Sequence, residues 1–202
     1  DEFLKDERAQ QQEEYPLSYY SLGYFYFDQK SYGDALNWFG KFVGMEQGKA
    51  TPNRSDAYNR MADCYFIQSN YTRAIEYYER SMAMGKADVD YAMFQKGFTL
   101  GLLDRTQEKV DVLNKIVTEQ PKSAFVDDAL FEIGRSYVVL NQPSKAQGYY
   151  ERVVNEHSNS SYNNSALNQL GLIYYNTADY KQALTYYERV ATNYPGTPEA
   201  EN

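Results

Sequence analysis

The sequence predicts an all-α protein, a right-handed α-α superhelix built from five helix-turn-helix repeats. Related segments recur at a period of about 34–39 residues, and the clearest pair reads NYTRAIEYYERS at 70–81 and DYKQALTYYERV at 179–190. Within each copy, apolar residues follow the i, i+3, i+4, i+7 spacing of an amphipathic helix. No segment alternates at a period of two over a useful length, so the pattern does not favour strands.

Each copy carries two anchors of small residues, one on each predicted helix. The second-helix anchors are alanines, spaced by 39, 72 and 37 residues: Ala35, Ala74, Ala146 and Ala183. The double interval contains a divergent copy, TQEKVDVLNKI at 106–116, with Lys109 where alanine is expected. The first-helix anchors lie twelve residues earlier in each copy: Gly23, Ala62, Gly97, Gly134 and Gly171. We expect each first-helix anchor to face the alanine of its second helix, so that the two backbones approach closely and large aromatic side chains fill the remaining space.

The third copy departs from this pattern. Lys96 and Lys109 stand close to its two anchor positions. A lysine at a tight helix crossing must extend outward to water or push the helices apart. We therefore expect local irregularity in this copy, of a kind that would bend the superhelix.

Prolines and polar linkers separate the copies, because a helix cannot continue through proline. Pro52, Pro121 and Pro195 mark such boundaries. The predicted repeats are approximately 16–51, 52–86, 87–122, 123–159 and 160–195. Residues 1–15 are interpreted as a leader or the end of a preceding repeat, and residues 196–202 as the start of a truncated next repeat. These ends suggest an excerpt from a longer array, whose last copy would stack end to end on another molecule.

Composition narrows the function classes. The net charge of −8 argues against nucleic acid and anionic membrane surfaces, which attract basic proteins. No apolar run approaches the roughly 20 residues of a membrane span, so direct membrane insertion is not expected. The only cysteine, Cys64, is expected to be a small buried apolar residue, and the only histidine, His157, to lie in a solvated linker.

Little in the sequence points to catalysis. Paired acids occur at Asp127–Asp128 and at Asp88 with Asp90, and an α/α-toroid glycosidase would use two such carboxylates. Acids are also common near helix starts, where they interact favourably with the helix dipole, and this interpretation is preferred. No metal site, cofactor motif or catalytic triad is predicted. The chain is therefore expected to be non-enzymatic.

The repeat resembles the tetratricopeptide repeat, a helix-turn-helix unit of 34 residues. The resemblance is carried in copy one by Tyr19, Leu22, Gly23, Tyr26, Ala35 and Phe39, and in copy five by Leu167, Leu170, Gly171, Tyr174, Ala183, Tyr187 and Pro195. The 37-residue steps of the late copies and linkers such as NYP resemble bacterial cell-envelope members of the family, of the Tol–Pal coordinator and outer-membrane assembly lipoprotein type. This second resemblance implies the periplasm or cell envelope rather than the cytoplasm.

The family lines its concave face with the first helix of each repeat and binds extended peptides or helices there. Carried onto this sequence, the inward positions form a largely aromatic groove: Tyr20, Tyr24, Phe27, Asn59, Asp63, Phe66, Tyr91, Phe94, Phe98, Asp128, Phe131, Arg135, Asn168, Leu172 and Tyr175. Chaperone-binding members hold a terminal carboxylate with lysine and asparagine at fixed inward positions. Here those places hold Tyr20 and Tyr24, then Asn59 and Asp63, so this clamp is absent and a chaperone tail is not expected. For each ring, packing against the neighbouring repeat remains an equal alternative.

The predicted function is a non-catalytic protein–protein interaction scaffold that binds a peptide or helix of a partner in this groove. Two alternatives stay open: a helical enzyme of the α/α-toroid type, and a regulatory module fused to an effector domain outside this sequence. Replacing Phe94 and Phe131 by alanine is expected to abolish partner capture while helicity is preserved, and a loss of fold would instead place both rings in the core.

Overall fold

The computed structural model describes residues 15–197, which form ten α-helices and no β-strand within that range. The helices are α1 (Tyr15–Asp28), α2 (Tyr32–Met45), α3 (Pro52–Ile67), α4 (Tyr71–Met84), α5 (Val89–Leu102), α6 (Thr106–Glu119), α7 (Val126–Val139), α8 (Pro143–Glu156), α9 (Asn163–Asn176) and α10 (Tyr180–Asn193). The all-α prediction is confirmed. The predicted leader and the predicted start of a further repeat lie outside the described residues, apart from their innermost positions.

Contacts divide the chain into two compact units, Asp1–Leu103 and Asp104–Asn202. In the described residues, unit 1 contains α1–α5 and unit 2 contains α6–α10. Consecutive helices pack against one another inside each unit. Each predicted repeat range holds one helix pair, except that α1 begins one residue early, and the third pair is divided between the units. We refer below to α1, α3, α5, α7 and α9 as the first helices and to the others as the second helices.

Local sequence explains where several helices begin. Pro52 and Pro143 occupy the first turns of α3 and α8, where a missing N–H costs nothing because that donor has no partner inside the helix. Pro52 therefore starts a helix rather than ending one. Side chains cap other helices: the Asn70 amide oxygen accepts a hydrogen bond from the Arg73 backbone N–H, and Asp179 accepts one from Gln182.

The turn inside each pair has the same backbone geometry in all five copies. The residue seven positions after the first-helix anchor adopts a left-handed conformation, with φ between 54° and 62°, and in no copy is it glycine: Lys30, Ser69, Asp104, Asn141 and Ala178. This conformation costs an L-residue about 1–2 kcal/mol, and less for Asn and Asp. The tight connection therefore carries a small conformational cost in every repeat.

The anchors lie in the core, but their packing differs from the prediction. Ala35, Ala74, Ala146 and Ala183 are all buried. The group nearest the first-helix glycine is not that alanine but the aromatic ring four residues after it. A Cβ atom on Gly23 would lie 2.5 Å from the Phe39 ring, and one on Gly134 would lie 2.6 Å from the Tyr150 ring. At these two positions glycine leaves room for the ring, because a Cβ atom there would overlap it.

The two unusual lysines do not interrupt the helices that carry them. The helices that carry them, α5 and α6, are continuous and have 14 residues each. Lys109 does not extend into water: its side chain is largely buried, and its Nζ lies 2.5 Å from Glu132 Oε2 of α7. Lys96 Nζ lies 2.7 Å from Glu79 Oε1 of α4. Each ammonium group finds a carboxylate on another helix of its own unit, so neither helix is interrupted. Because α5 and α6 belong to different units, the predicted irregularity at their crossing stays a prediction.

Candidate functional site on the first helices

The predicted groove positions fall into three classes of exposure. Asn59, Asp63 and Phe131 are buried, so the prediction that they line an accessible surface was wrong. Phe98, Leu172 and Tyr175 are 42%, 45% and 56% exposed, and Arg135 is exposed as well. The remaining positions are half-buried: Tyr20, Tyr24, Phe27, Phe66, Tyr91, Phe94, Asp128 and Asn168. We call the surface that these positions occupy in each unit the first-helix face.

In unit 1, two tyrosines of α1 converge on a carboxylate of α3. The hydroxyls of Tyr20 and Tyr24 both donate to Asp56 Oδ2, at 2.7 Å and 2.5 Å. Burial, followed by the hydrogen bond to Asp56, raises the pKa of Tyr24 to about 12, so both phenols stay protonated and act as donors. These bonds hold α1 and α3 together across their polar surfaces.

Next to Asp56 lies a second, more deeply buried carboxylate. Asp63 Oδ2 lies 2.7 Å from Arg60 Nη1 of the same helix. Its Oδ1 accepts hydrogen bonds from Tyr78 of α4 at 2.7 Å and from Tyr91 of α5 at 2.9 Å. Burial raises the pKa of Asp63, and the Arg60 charge and the two phenol donors oppose that rise. Groups from three helices therefore contact one internal carboxylate.

Sequence reasoning missed Asp56 and Arg60. The inward positions were counted from the anchor residue of each copy, and these two fall at other places on α3. A signal was available, because Asp56, Arg60 and Asp63 are spaced i, i+4 and i+7, which places them on neighbouring positions of one helix face.

The apolar part of the unit 1 face lies toward the carboxyl ends of the first helices. Phe66 and Phe98 have ring centroids 6.0 Å apart, which is an aromatic pair contact between α3 and α5. The Arg60 guanidinium lies 5.0 Å from the Tyr91 ring centroid, within cation–π range. A polar, preorganised region and an exposed aromatic region thus lie on the same face.

In unit 2, Phe131 of α7 is a packing residue. Its ring stacks on Tyr162 with centroids 4.6 Å apart and contacts the Tyr150 ring at 5.6 Å. Replacing Phe131 by alanine would leave a cavity between these rings. The predicted double alanine variant at Phe94 and Phe131 would therefore disturb the core and cannot report on binding alone.

The charged groups of this face centre on Glu132 of α7. Its carboxylate contacts Lys109 of α6 at 2.5 Å and Arg135 of α7 at 2.7 Å. Burial opposes ionisation of Glu132, but the two cations outweigh it and hold the pKa of this carboxyl below its ordinary value. Nearby, the Tyr150 hydroxyl is buried and has no hydrogen-bond partner among residues 15–197.

Cys64 and the paired acids, which could carry chemistry, occupy positions that suit structural roles. Cys64 is fully buried, and burial raises the pKa of its thiol to about 12, so it is not a ready nucleophile. Asp127 and Asp128 lie in the first turn of α7, and Asp90 in that of α5, at the positive ends of the helix dipoles. No group of three or more potential metal ligands occurs in the described part of the chain.

Sequence models of the tetratricopeptide repeat match residues 55–84 and 131–198, which cover α3–α4 and most of α7–α10. The chain contains tetratricopeptide repeats. Similar solved structures include YrrB, described as a TPR protein with an unusual peptide-binding site, with a TM-score of 0.71, 16% identity, and coverage of 100% of this chain and 96% of that one.

Two further solved structures share the tetratricopeptide-repeat fold. MamA from Desulfovibrio magneticus RS-1 has a TM-score of 0.68 at 16% identity, over 88% of this chain and 93% of that one. The pilF protein of Pseudomonas aeruginosa has a TM-score of 0.65 at 18% identity, over 90% and 78%. A search of the curated proteins gave no match. At these identities the likeness shows the fold.

The tetratricopeptide repeats support a general role as a protein–protein interaction scaffold, and proteins of this repeat type are generally non-catalytic. No helix between residues 15 and 197 is both long enough and apolar enough to cross a membrane.

Proposed function

We propose that this tetratricopeptide-repeat chain is a non-catalytic scaffold that binds a peptide or helical segment of a partner protein on its first-helix faces. The supporting observation is that large apolar side chains remain in water there. Tyr175 and Leu172 of α9 and Phe98 of α5 are about half exposed, whereas Leu167 and Leu170 of α9 and Leu100 of α5 are buried. A partner segment that covers these side chains would remove their apolar surface from water, and this burial would stabilise the complex.

The polar network of unit 1 makes its face a preformed receptor. Asp56 joins α1 to α3, and Asp63 joins α3 to α4 and α5. Because these helices are held in place before a ligand arrives, binding would cost little ordering entropy on the receptor side. Peptide binding is also what the description of YrrB states for that protein.

Site-specific photocrosslinking in cells that make the protein tests this proposal. A benzophenone amino acid at position 175 or 98 should form covalent adducts with a partner. The matched control is position 45 on α2, where Met45 is 43% exposed but lies on a second helix. Adducts only from positions 175 and 98 support binding on the first-helix faces. Equal adducts from position 45, or none from any position, would contradict it.

Three further expectations stay predictions. We propose that the five helix pairs, α1–α2 through α9–α10, are the five repeats.

End-to-end self-association through α10 would use its exposed Tyr180 and Leu184. Light scattering that shows a strict monomer at high concentration would contradict it. The predicted cell-envelope location can be tested by fractionating cells that make the protein.

A further inference from the structure

Unit 1 shows how the fold binds a carboxylate. The Asp63 carboxylate accepts hydrogen bonds from the buried hydroxyl of Tyr78 and from Tyr91, and it pairs with the Arg60 guanidinium. Asp63 lies one residue after the first-helix anchor Ala62, and Tyr78 lies four residues after the second-helix anchor Ala74. These register positions can be compared with the other copies.

The copy formed by α7 and α8 reverses the charges at the same positions. Arg135 occupies the position of Asp63, Glu132 that of Arg60, and Tyr150 that of Tyr78. The ion pair is retained, with Arg135 Nη1 2.7 Å from Glu132 Oε1. In unit 1 the acceptor of the Tyr78 hydroxyl is Asp63. In this copy the equivalent position holds Arg135, which can only donate, so Tyr150 has no acceptor there.

Tyr150 consequently keeps an unused hydroxyl. The residue is fully buried, and its oxygen has no hydrogen-bond partner within residues 15–197. Buried hydroxyls are normally paired, because leaving one without a partner costs free energy. The Arg135 and Glu132 charges both act on this phenol, so it lies beside the charged cluster of the first-helix face.

The cluster also has a local excess of positive charge. Lys109 and Arg135 both contact the single carboxylate of Glu132. Arg135 has a side chain 60% exposed, and the one hydrogen bond seen for it comes from Nη1, so further guanidinium donors face water. The next acid along α7 is Asp128, about one turn from Glu132 and two turns from Arg135, and it accepts a hydrogen bond from Tyr162.

We infer that the first-helix face of unit 2 binds an aspartate or glutamate side chain of the partner segment, whose carboxylate accepts from Tyr150 and Arg135. It would take the place that Asp63 fills internally in unit 1. The exposed Arg135 side chain changes rotamer to admit the carboxylate, and Leu172 and Tyr175 of α9 offer apolar contacts to neighbouring residues of the segment. This inference rests on the proposed function and specifies its partner.

Random peptides displayed on phage and selected on the whole 202-residue chain provide the probe. The strongest binder is then synthesised in two forms, one with its acidic residue and one with the matching amide. Affinities are measured by fluorescence anisotropy for the unchanged chain, for Arg135→Gln and for Tyr150→Phe. Arg152→Gln is the matched control, because Arg152 lies in the same unit, pairs with Glu156 and is exposed.

We expect acidic residues to be enriched among the selected peptides. Changing the acid to its amide should weaken binding to the unchanged chain about tenfold, as expected for a charge-assisted hydrogen bond. The same change should have little effect on the Arg135→Gln chain, whereas the Arg152→Gln control should retain the full difference. Arg135 is exposed, so this variant is decisive even if Tyr150→Phe alters the core.

The failures of the two proposals are distinguishable. Selected peptides without an acidic preference, or acidic peptides that bind Arg135→Gln equally well, overturn the carboxylate inference and leave protein binding intact. Dependence on a free carboxyl terminus, abolished by amidation, also overturns it, because a side chain is then not the ligand. Failure to select any peptide counts against both.

Discussion

The helix pairs α3–α4 and α7–α8 carry opposite charges at the same register positions: Arg60 and Asp63 in the first pair correspond to Glu132 and Arg135 in the second. In α3–α4, a buried aspartate pairs with an arginine and accepts hydrogen bonds from two phenols, although Arg60 Nε has no hydrogen-bond partner within residues 15–197. In α7–α8, a buried glutamate contacts two cations, and the phenol at the equivalent position has no hydrogen-bond partner in the described residues. The Tyr78 phenol thus has an internal acceptor, whereas the Tyr150 phenol has none there. Equivalent positions of one fold can therefore carry different polar networks.

Removing the central carboxylate of unit 1 should have the largest effect. Asp63→Ala removes the acceptor of the Tyr78 and Tyr91 hydroxyls and leaves Arg60 with Asp56, 3.5 Å away, which should cost about 3–5 kcal/mol of unfolding free energy. Arg135→Ala at the equivalent position of unit 2 should cost less than about 1 kcal/mol, because the side chain is exposed. Urea unfolding followed by circular dichroism measures both values. Equal losses would contradict the contrast between the two repeats.

The two tyrosines that differ in hydrogen bonding should respond differently to replacement by phenylalanine. Tyr78→Phe removes a hydrogen bond to a carboxylate and should destabilise the chain by about 1.5–3 kcal/mol. Tyr150→Phe removes a hydroxyl that has no hydrogen-bond partner between residues 15 and 197, and should be neutral or stabilising. Thermal and urea unfolding of the two variants side by side test this. A destabilised Tyr150→Phe variant would show that the hydroxyl is satisfied in solution.

Two glycines of unit 2 test separately whether glycine is needed for packing against a ring and how much it destabilises a helix. Gly134→Ala should lose about 1–3 kcal/mol, because the new methyl group would meet the Tyr150 ring 2.6 Å away. Gly148→Ala on α8 meets no atom within 4 Å and should gain about 0.5–1 kcal/mol, because alanine favours the helix. Unfolding free energies measure both. A tolerated Gly134→Ala would disprove the role of glycine in admitting the ring.

The smallest effects concern the turns. Ala178 has a φ of 62°, which glycine adopts at no steric cost. Ala178→Gly should therefore stabilise the chain by up to about 1 kcal/mol. Asn141 has a φ of 54° in the equivalent turn of the same unit, and Asn141→Gly should gain less, since asparagine tolerates this conformation. The difference in melting temperature between the two variants is the measurement.

Much of the helical layout was predictable, and particular residues show where prediction ended. The recurrence of Gly23, Gly134 and Gly171 ahead of their alanines indicated where pairs of helices cross. The same spacing could not tell whether glycine meets the alanine or the aromatic ring beyond it, because both lie on one helix face. Lys109 was expected to disrupt its copy, and its partner Glu132 stands 23 positions later, beyond any local pattern.

The sequence by itself determined the helix pairs, their period and the positions of their small residues, because helical periodicity and turn chemistry act over a few neighbouring positions. Only the tertiary structure decided which polar groups are satisfied. Tyr20 reaches Asp56, Tyr91 reaches Asp63, and Tyr150 reaches no acceptor in the described residues. Each outcome depends on which side chain a different helix brings within hydrogen-bond distance, and no periodicity along one helix contains that information.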